Sequence, residues 1–141
     1  MTDESDKVSF IVSDKSFEKF GMMLILGTTG DAMDYKMNFF FTFWGLFQLK
    51  KKFKPKVAGM PFPMKGMAAW MFKKKLAKFG MDDPWGLIKE AVESGNLKLY
   101  PCQMTMDLMG IKRKDLIDWC EDPVGAAAFL EIADGGRIVS L

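Results

Sequence analysis

The sequence predicts an α/β fold, a three-layer sandwich in which a mostly parallel sheet of about five strands is flanked by helices. Three observations carry that prediction. Short runs rich in β-branched and aromatic residues alternate along the chain with longer segments whose apolar residues recur at helical spacing. The run 37–43 (MNFFFTF) has a continuous apolar core, as a parallel strand buried on both faces requires. Glycines and prolines stand at the boundaries between these segments, where they interrupt both periods.

The elements follow in order. Residues 1–6 read as a flexible leader and residues 7–141 as a single domain. Residues 7–13 (KVSFIVS) make a first strand. Ser13-Asp14 offers an N-cap with Glu18 near the capping-box position, and Phe17, Phe20, Met23, Leu24 and Leu26 suit a largely buried helix to about residue 33. Gly27-Thr28-Thr29-Gly30-Asp31 superficially resembles a phosphate cradle. It fits neither GxGxxG nor the Walker pattern, so it reads as the end of that helix. Residues 37–43 make a second strand, broken by Trp44-Gly45. Residues 46–54 suit one or two helical turns, and residues 55–60 (PKVAGM) a strand weakened by its proline and glycine.

Pro61-Phe62-Pro63-Met64 is a rigid loop leading into a helix over residues 65–79. Met67, Ala68, Met71, Phe72, Leu76 and Phe79 share one side of it, and Gly80 stops it. Asp82-Asp83-Pro84 opens another helix, closed by Gly95. A strand from Leu97 ends at Pro101, Cys102 follows, and Met104, Leu108, Met109 and Ile111 are close to helical spacing. Residues 112–120 read as a further helical piece. A helix then runs from residue 123 or 124 to about 133, and a last short strand covers residues 137–141.

Composition narrows the chemistry. With 141 residues the chain is one domain, large enough to bury roughly two-thirds of its unfolded surface. A net charge of +2 argues against nucleic acid as a partner, so any basic feature is local. Histidine is absent, which excludes a Ser-His-Asp triad, a Cys-His dyad and an imidazole metal site. Two cysteines cannot complete a four-thiolate zinc site, so no metal and no other cofactor is predicted. They are also too few for a disulfide framework. The polar, acidic N-terminus is unlike a signal peptide, and the longest mostly apolar run, 37–49, is too short for a transmembrane segment. The expectation is a soluble cytoplasmic protein.

The remaining chemistry centres on residues 97–110, LKLYPCQMTMDLMG. A lone cysteine is usually a buried structural thiol. Here Pro101 ends the strand and Gln103 onward can start a helix, so Cys102 lies where unpaired amides stabilise an anion. Such a site lowers a thiol pKa from about 8.5 to between roughly 3.5 and 7.5. Cys120 lies among Asp118, Glu121 and Asp122, whose charge disfavours a thiolate, and reads as a packed thiol beside Trp119. It is the possible second thiol, and no CxxC is present.

Two lysine runs, Lys50-Lys51-Lys52 with Lys54 and Lys56, and Lys73-Lys74-Lys75 with Lys78, are solvated faces or a surface for an acidic partner. The thirteen methionines and thirteen phenylalanines are mostly core, and their abundance predicts a symmetric homo-oligomer. Met60, Met64 and Met67 with Phe62 suit an adaptable wall or a subunit interface, and Met104 and Met106 suit drying the thiol pocket.

The segment PCQMTMDLMG, joined to IKRKDLID and GAAAFLEIA and supported by FFFTFWGL and MPFPM, resembles the DsrE/DsrF/DsrH-like sulfur-relay family from about residue 7 to residue 133. The resemblance implies a small, often oligomeric α/β fold whose strand-end cysteine carries sulfane sulfur as a persulfide or thiosulfonate, a role that falls on Cys102. It also implies TusA-like or rhodanese-like partners. It does not decide between a sulfurtransferase enzyme and a carrier. Converging strand ends make Ser13, Lys15, Thr42, Trp44, Gly45 and Met60 candidates to line the pocket. Gln103, Met104 and Thr105 join them from the helix, and Lys15 is a candidate counter-charge for a thiosulfonate. Two other readings stay open: a non-enzymatic small-ligand-binding module in the same crevice, and a thiol redox sensor pairing Cys102 with Cys120.

Overall fold

The computed structural model describes residues 6–51, 70, 71, 74, 75, 78 and 84–141. Among them four strands form one sheet: β1 (Lys7–Val12), β2 (Lys36–Phe41), β3 (Leu97–Pro101) and β4 (Arg137–Ser140). Their order is β3-β2-β1-β4, and every pairing is parallel. The helices are α1 (Phe17–Ala32), α2 (Pro84–Glu93), α3 (Gln103–Met109) and α4 (Ala126–Ala133). The expected α/β sandwich is therefore the fold. The expected strand at residues 55–60 lies outside the described residues, as do the lysines from Lys52 to Lys56, the MPFPM loop and Asp82-Asp83. Of the expected helix over residues 65–79, Trp70, Met71, Lys74, Lys75 and Lys78 are helical and exposed.

Strand parity explains the two cores. Successive residues of a strand face opposite sides. Phe10 and Val12 of β1, Met37, Phe39 and Phe41 of β2, and Leu97 and Leu99 of β3 share one apolar cluster with Phe20, Met23 and Leu24 of α1 and Ile88 and Ala91 of α2. The alternate residues Phe40 and Tyr100 face the other way, clustering with Cys102 and with Phe129 and Ala133 of α4. Phe10 stacks on its cross-strand partner Phe39 at 4.6 Å, and Phe40 stacks on Phe129 of α4 at 4.4 Å, which ties the sheet to that helix. The chain steps from β1 to β2 to β3 in one direction and then returns to β4 beyond β1. With right-handed crossovers, that reversal moves the last helix to the opposite face.

Local chemistry differs from the sequence reading at two places and agrees with it at a third. The N-cap of α1 is Ser16, whose hydroxyl accepts from Lys19 N–H at 3.3 Å, while Asp14 accepts from Ser16 N–H at 2.9 Å. Ser13-Asp14 thus belongs to the turn that leads into the cap. The sequence Gly27 to Asp31 lies inside α1 as expected, with the Thr28 hydroxyl donating to the Leu24 carbonyl at 2.7 Å. Residues 112–120 hold only a short 3-10 turn, Arg113–Asp115. Their backbone pairs elsewhere: Lys51 N–H donates to Asp115 O at 3.1 Å, and Ile117 N–H donates to Leu49 O at 2.8 Å. These tertiary hydrogen bonds replace the helical ones.

Candidate functional site

Cys102 follows β3 directly and is the N-cap residue of α3. Its N–H donates to Phe41 O at 3.0 Å, which ties it to the end of β2, and its carbonyl accepts from Met106 N–H at 3.0 Å as the helix begins. On its other side Val124 forms a parallel bridge. Val124 N–H donates to Pro101 O and Gln103 N–H to Val124 O, both at 3.0 Å. The sulfur-bearing residue is thus held from both flanks by backbone, although β3 is the outermost strand on its side among the described residues. Because Cys102 continues the parity of Tyr100, it faces the α4 side and is 6% exposed. Gly110 stops α3 in the left-handed region at φ 68.

A polar cluster surrounds the sulfur. Burial pushes the Cys102 thiol up and is the largest single influence on it. Against burial stand the Thr105 hydroxyl and N–H, the Thr42 hydroxyl and the Met104 N–H, which together bring the thiol below its ordinary pKa. Thr42 Oγ1 and Thr105 Oγ1 are 3.1 Å apart, and Phe43 N–H donates to Thr105 Oγ1 at 3.1 Å. The Phe43 amide occupies one Thr105 lone pair, and of the two hydroxyl protons one bridges Thr42 and Thr105 while the other is free for the sulfur.

The loop after β2 is shaped to allow this. Phe43 has φ 49, a left-handed conformation uncommon for a bulky side chain. That turn aims its amide at Thr105 and leaves the ring 55% exposed. The chain continues as a 3-10 turn, Phe43–Leu49. Gly45 presses on the end of β1, where any Cβ would overlap the Val12 carbonyl. Thr42 N–H donates to that same carbonyl at 3.0 Å, so β1 fixes the loop that carries Thr42.

The structure brings Cys102, Thr42, Met104 and Thr105 into direct contact. Lys15 and Trp44 stand in the adjoining layer, with the Lys15 ammonium 5.5 Å from the Trp44 ring centre and 5.0 Å from that of Phe47. Gly45 is structural rather than lining. The Ser13 hydroxyl turns to the Leu141 carbonyl at 3.5 Å, and the Gln103 side chain donates to Asp107 at 2.9 Å. Met60 lies outside the described residues. Met104 contributes its amide while its side chain is exposed, and Met106 packs in the α1–α2 cluster, so neither thioether covers the thiol.

Cys120 differs from Cys102. Its sulfur donates to Ile117 O at 3.2 Å and belongs to the opposite apolar cluster. Burial leads in pushing its thiol up, Glu121 and Asp122 add to that, and Arg113 opposes it. Arg113 also binds the carbonyls of Ile117, Asp118 and Cys120, at 3.1, 3.3 and 3.0 Å. Both cysteines are free. Among the described residues no group of three or more His, Cys, Asp or Glu side chains could hold a metal ion. No described helix is long and apolar enough to cross a membrane.

Two contributors escaped the sequence reading. Val124 reads there as a helical residue, and its only strand signal is Pro123 before it and Gly125 after it. The Phe43 amide carries no sequence signal, because a left-handed phenylalanine is set by its surroundings.

Residues 4–139 match the DsrE/DsrF/DrsH-like family. The chain belongs to that family. It is 33% identical to the sulfur carrier protein DsrE2 of Allochromatium vinosum, over 92% of this chain and 94% of that protein. It is 30% identical to YrkE of Bacillus subtilis, over 98% of each. Among solved structures, MTH1491 of Methanobacterium thermoautotrophicum superposes with a TM-score of 0.60 at 13% identity, covering 96% of this chain and 98% of that one. The ychN protein of E. coli gives a TM-score of 0.53 at 12% identity, covering 96% and 99%. At such identities these two structures speak to the fold alone.

Proposed function

We propose that this DsrE/DsrF/DrsH-like protein is a sulfur carrier that holds sulfane sulfur on Cys102 and passes it to a partner protein. The observation that carries the reading is a buried thiol at a strand end, beside the Thr42–Thr105 hydroxyl pair and the Thr105 and Met104 amides, a setting that favours the thiolate without histidine or metal. The 33% identity to a protein named as a sulfur carrier supports the same role.

The chemistry balances without an added oxidant. The Cys102 thiolate attacks the outer sulfur of thiosulfate, a Cys102 S–S bond forms, the thiosulfate S–S bond breaks, and sulfite leaves with the electron pair. With tetrathionate the same attack leaves a thiosulfonate on Cys102 and releases thiosulfate. In the reverse half, an acceptor thiolate attacks the outer persulfide sulfur and Cys102 departs as thiolate, stabilised by the same donors. The thiol redox reading has less support, because the two cysteines pack in separate clusters and only Cys102 is held toward the thiolate. TusA-like or rhodanese-like proteins are the proposed partners, a homo-oligomer the proposed assembly, and the reducing cytoplasm, where single thiols persist, the proposed location.

Intact-mass measurement after incubation with thiosulfate or tetrathionate tests this. The expected result is a DTT-labile gain of sulfur that persists in Cys120→Ser and disappears in Cys102→Ser. No adduct on Cys102, while an alkylating agent still reaches it, overturns the proposal.

A further inference from the structure

Four large apolar side chains stand exposed around the thiol. Phe43 and Trp44, 55% and 56% exposed, directly follow Thr42, whose hydroxyl reaches Cys102. Met104, 74% exposed, supplies an amide to the sulfur, and Leu108, 71% exposed, lies one helical turn beyond it. Single exposed apolar residues need no explanation, but four within two residues or one turn of a group touching the Cys102 thiol do.

Two cations edge this patch. Lys15 lies over Trp44 and Phe47, and the Lys50 ammonium is 5.3 Å from the centre of the Phe47 ring. Lys51 is 3.6 Å from Asp118, whereas among the described residues neither Lys15 nor Lys50 meets a carboxylate. Both therefore hold their positive charge beside aromatic faces. On α3 the nearest carboxylate, Asp107, is held by the Gln103 amide at 2.9 Å.

Resting on the carrier reading of Cys102, we infer that this face is the docking surface for the sulfur-exchanging partner. That partner is a protein presenting an apolar side chain flanked by acidic residues beside its own cysteine. Apolar contact at Trp44, Phe43, Met104 and Leu108 supplies the buried centre. Lys15 and Lys50 steer the acidic flank and set orientation. The partner thiolate then attacks the outer sulfur of the Cys102 persulfide. One S–S bond forms as the other breaks, and Cys102 leaves as thiolate.

The test uses thiol–disulfide exchange, which needs no sulfur loading. Three cysteine peptides with the same leucine anchor and acidic, neutral or basic flanks are activated as pyridyl disulfides. Attack by the Cys102 thiolate forms the mixed disulfide and releases thiopyridone, whose absorbance gives the rate. Each rate is divided by that of a small uncharged pyridyl disulfide on the same variant, and Cys102→Ser gives the background. The acidic peptide is expected to react about ten-fold faster than the basic one at low salt, with the ratio shrinking as salt rises. The double variant Lys15→Glu/Lys50→Glu is expected to abolish or invert that ratio, and Leu108→Ser to slow the anchored peptides several-fold. Equal rates for acidic and basic peptides, or a preference that survives the double variant, overturn the docking surface. A charge preference without sulfur uptake on Cys102 leaves the surface standing and removes the carrier reading.

Discussion

Replacing Thr105 by valine removes one hydroxyl from the thiol cluster at nearly constant shape. Thr105 is buried, and its oxygen accepts from the Phe43 amide while its proton is available to the Cys102 sulfur. A hydrogen bond to a charged group is worth about 1.5–3 kcal/mol, and one pKa unit is about 1.4 kcal/mol, so the thiol should rise by about one to two units. A higher pKa leaves less thiolate but a more nucleophilic one. With a Brønsted slope near 0.45 the net loss of rate is about three- to four-fold per unit. Alkylation of Cys102 by iodoacetamide, followed by peptide mass across a pH series, reads both quantities. The wild-type midpoint should lie below that of an ordinary thiol. In Thr105→Val the midpoint should move up by about one to two units, and the rate well below it should fall about four- to twelve-fold. Leaving the Phe43 amide without its acceptor should also cost about 1–3 kcal/mol in urea unfolding. A midpoint that stays put or falls, in a variant that remains folded, refutes the account of how the thiolate is held.

Two further outcomes follow from the same contacts. The folded Cys102 pKa is depressed, so its thiolate contributes stability above the unfolded-state pKa and loses it as pH falls through the folded value. Subtracting the Cys102→Ser stability at each pH isolates this from Cys120, whose raised pKa slopes the other way. The difference should therefore grow as pH rises toward the ordinary thiol range; a flat or opposite slope removes the assigned sign. Gly45→Ala places a Cβ against the Val12 carbonyl and should destabilise by about 1–3 kcal/mol in urea titration. Because that shift moves Thr42 as well, Cys102 alkylation in the folded variant should also slow; an unchanged rate would separate Gly45 from the site.

The extent to which this site is legible differs residue by residue. Cys102 reads as lying between a strand end and a helix start because Pro101 and the 3.6-residue spacing beyond it are local signals, and the structure has it there. Thr42 and Thr105 were visible as neighbours of strand ends. Their hydroxyls meeting at 3.1 Å was not, since residues 63 positions apart are joined only by packing. Residues 112–120 read as helical because the apolar spacing allows it, yet the Ile117 amide pairs with the Leu49 carbonyl and the Asp115 carbonyl with the Lys51 amide instead.

The sequence by itself determined the alternation of strands and helices, the absence of imidazole chemistry, and the position of Cys102 between a strand end and a helix start, because these follow from residue type and short-range spacing. Only the tertiary structure decided the strand order, with β3 outermost on its side among the described residues and Cys102 beyond it bridged to Val124. It also decided the left-handed turn at Phe43 that feeds the Thr105 hydroxyl, and the separation of Cys102 from Cys120 into different apolar clusters. The physical reason is common to all three. Each depends on which distant backbone groups satisfy one another once the sheet is assembled, and no local pattern of side chains records that choice.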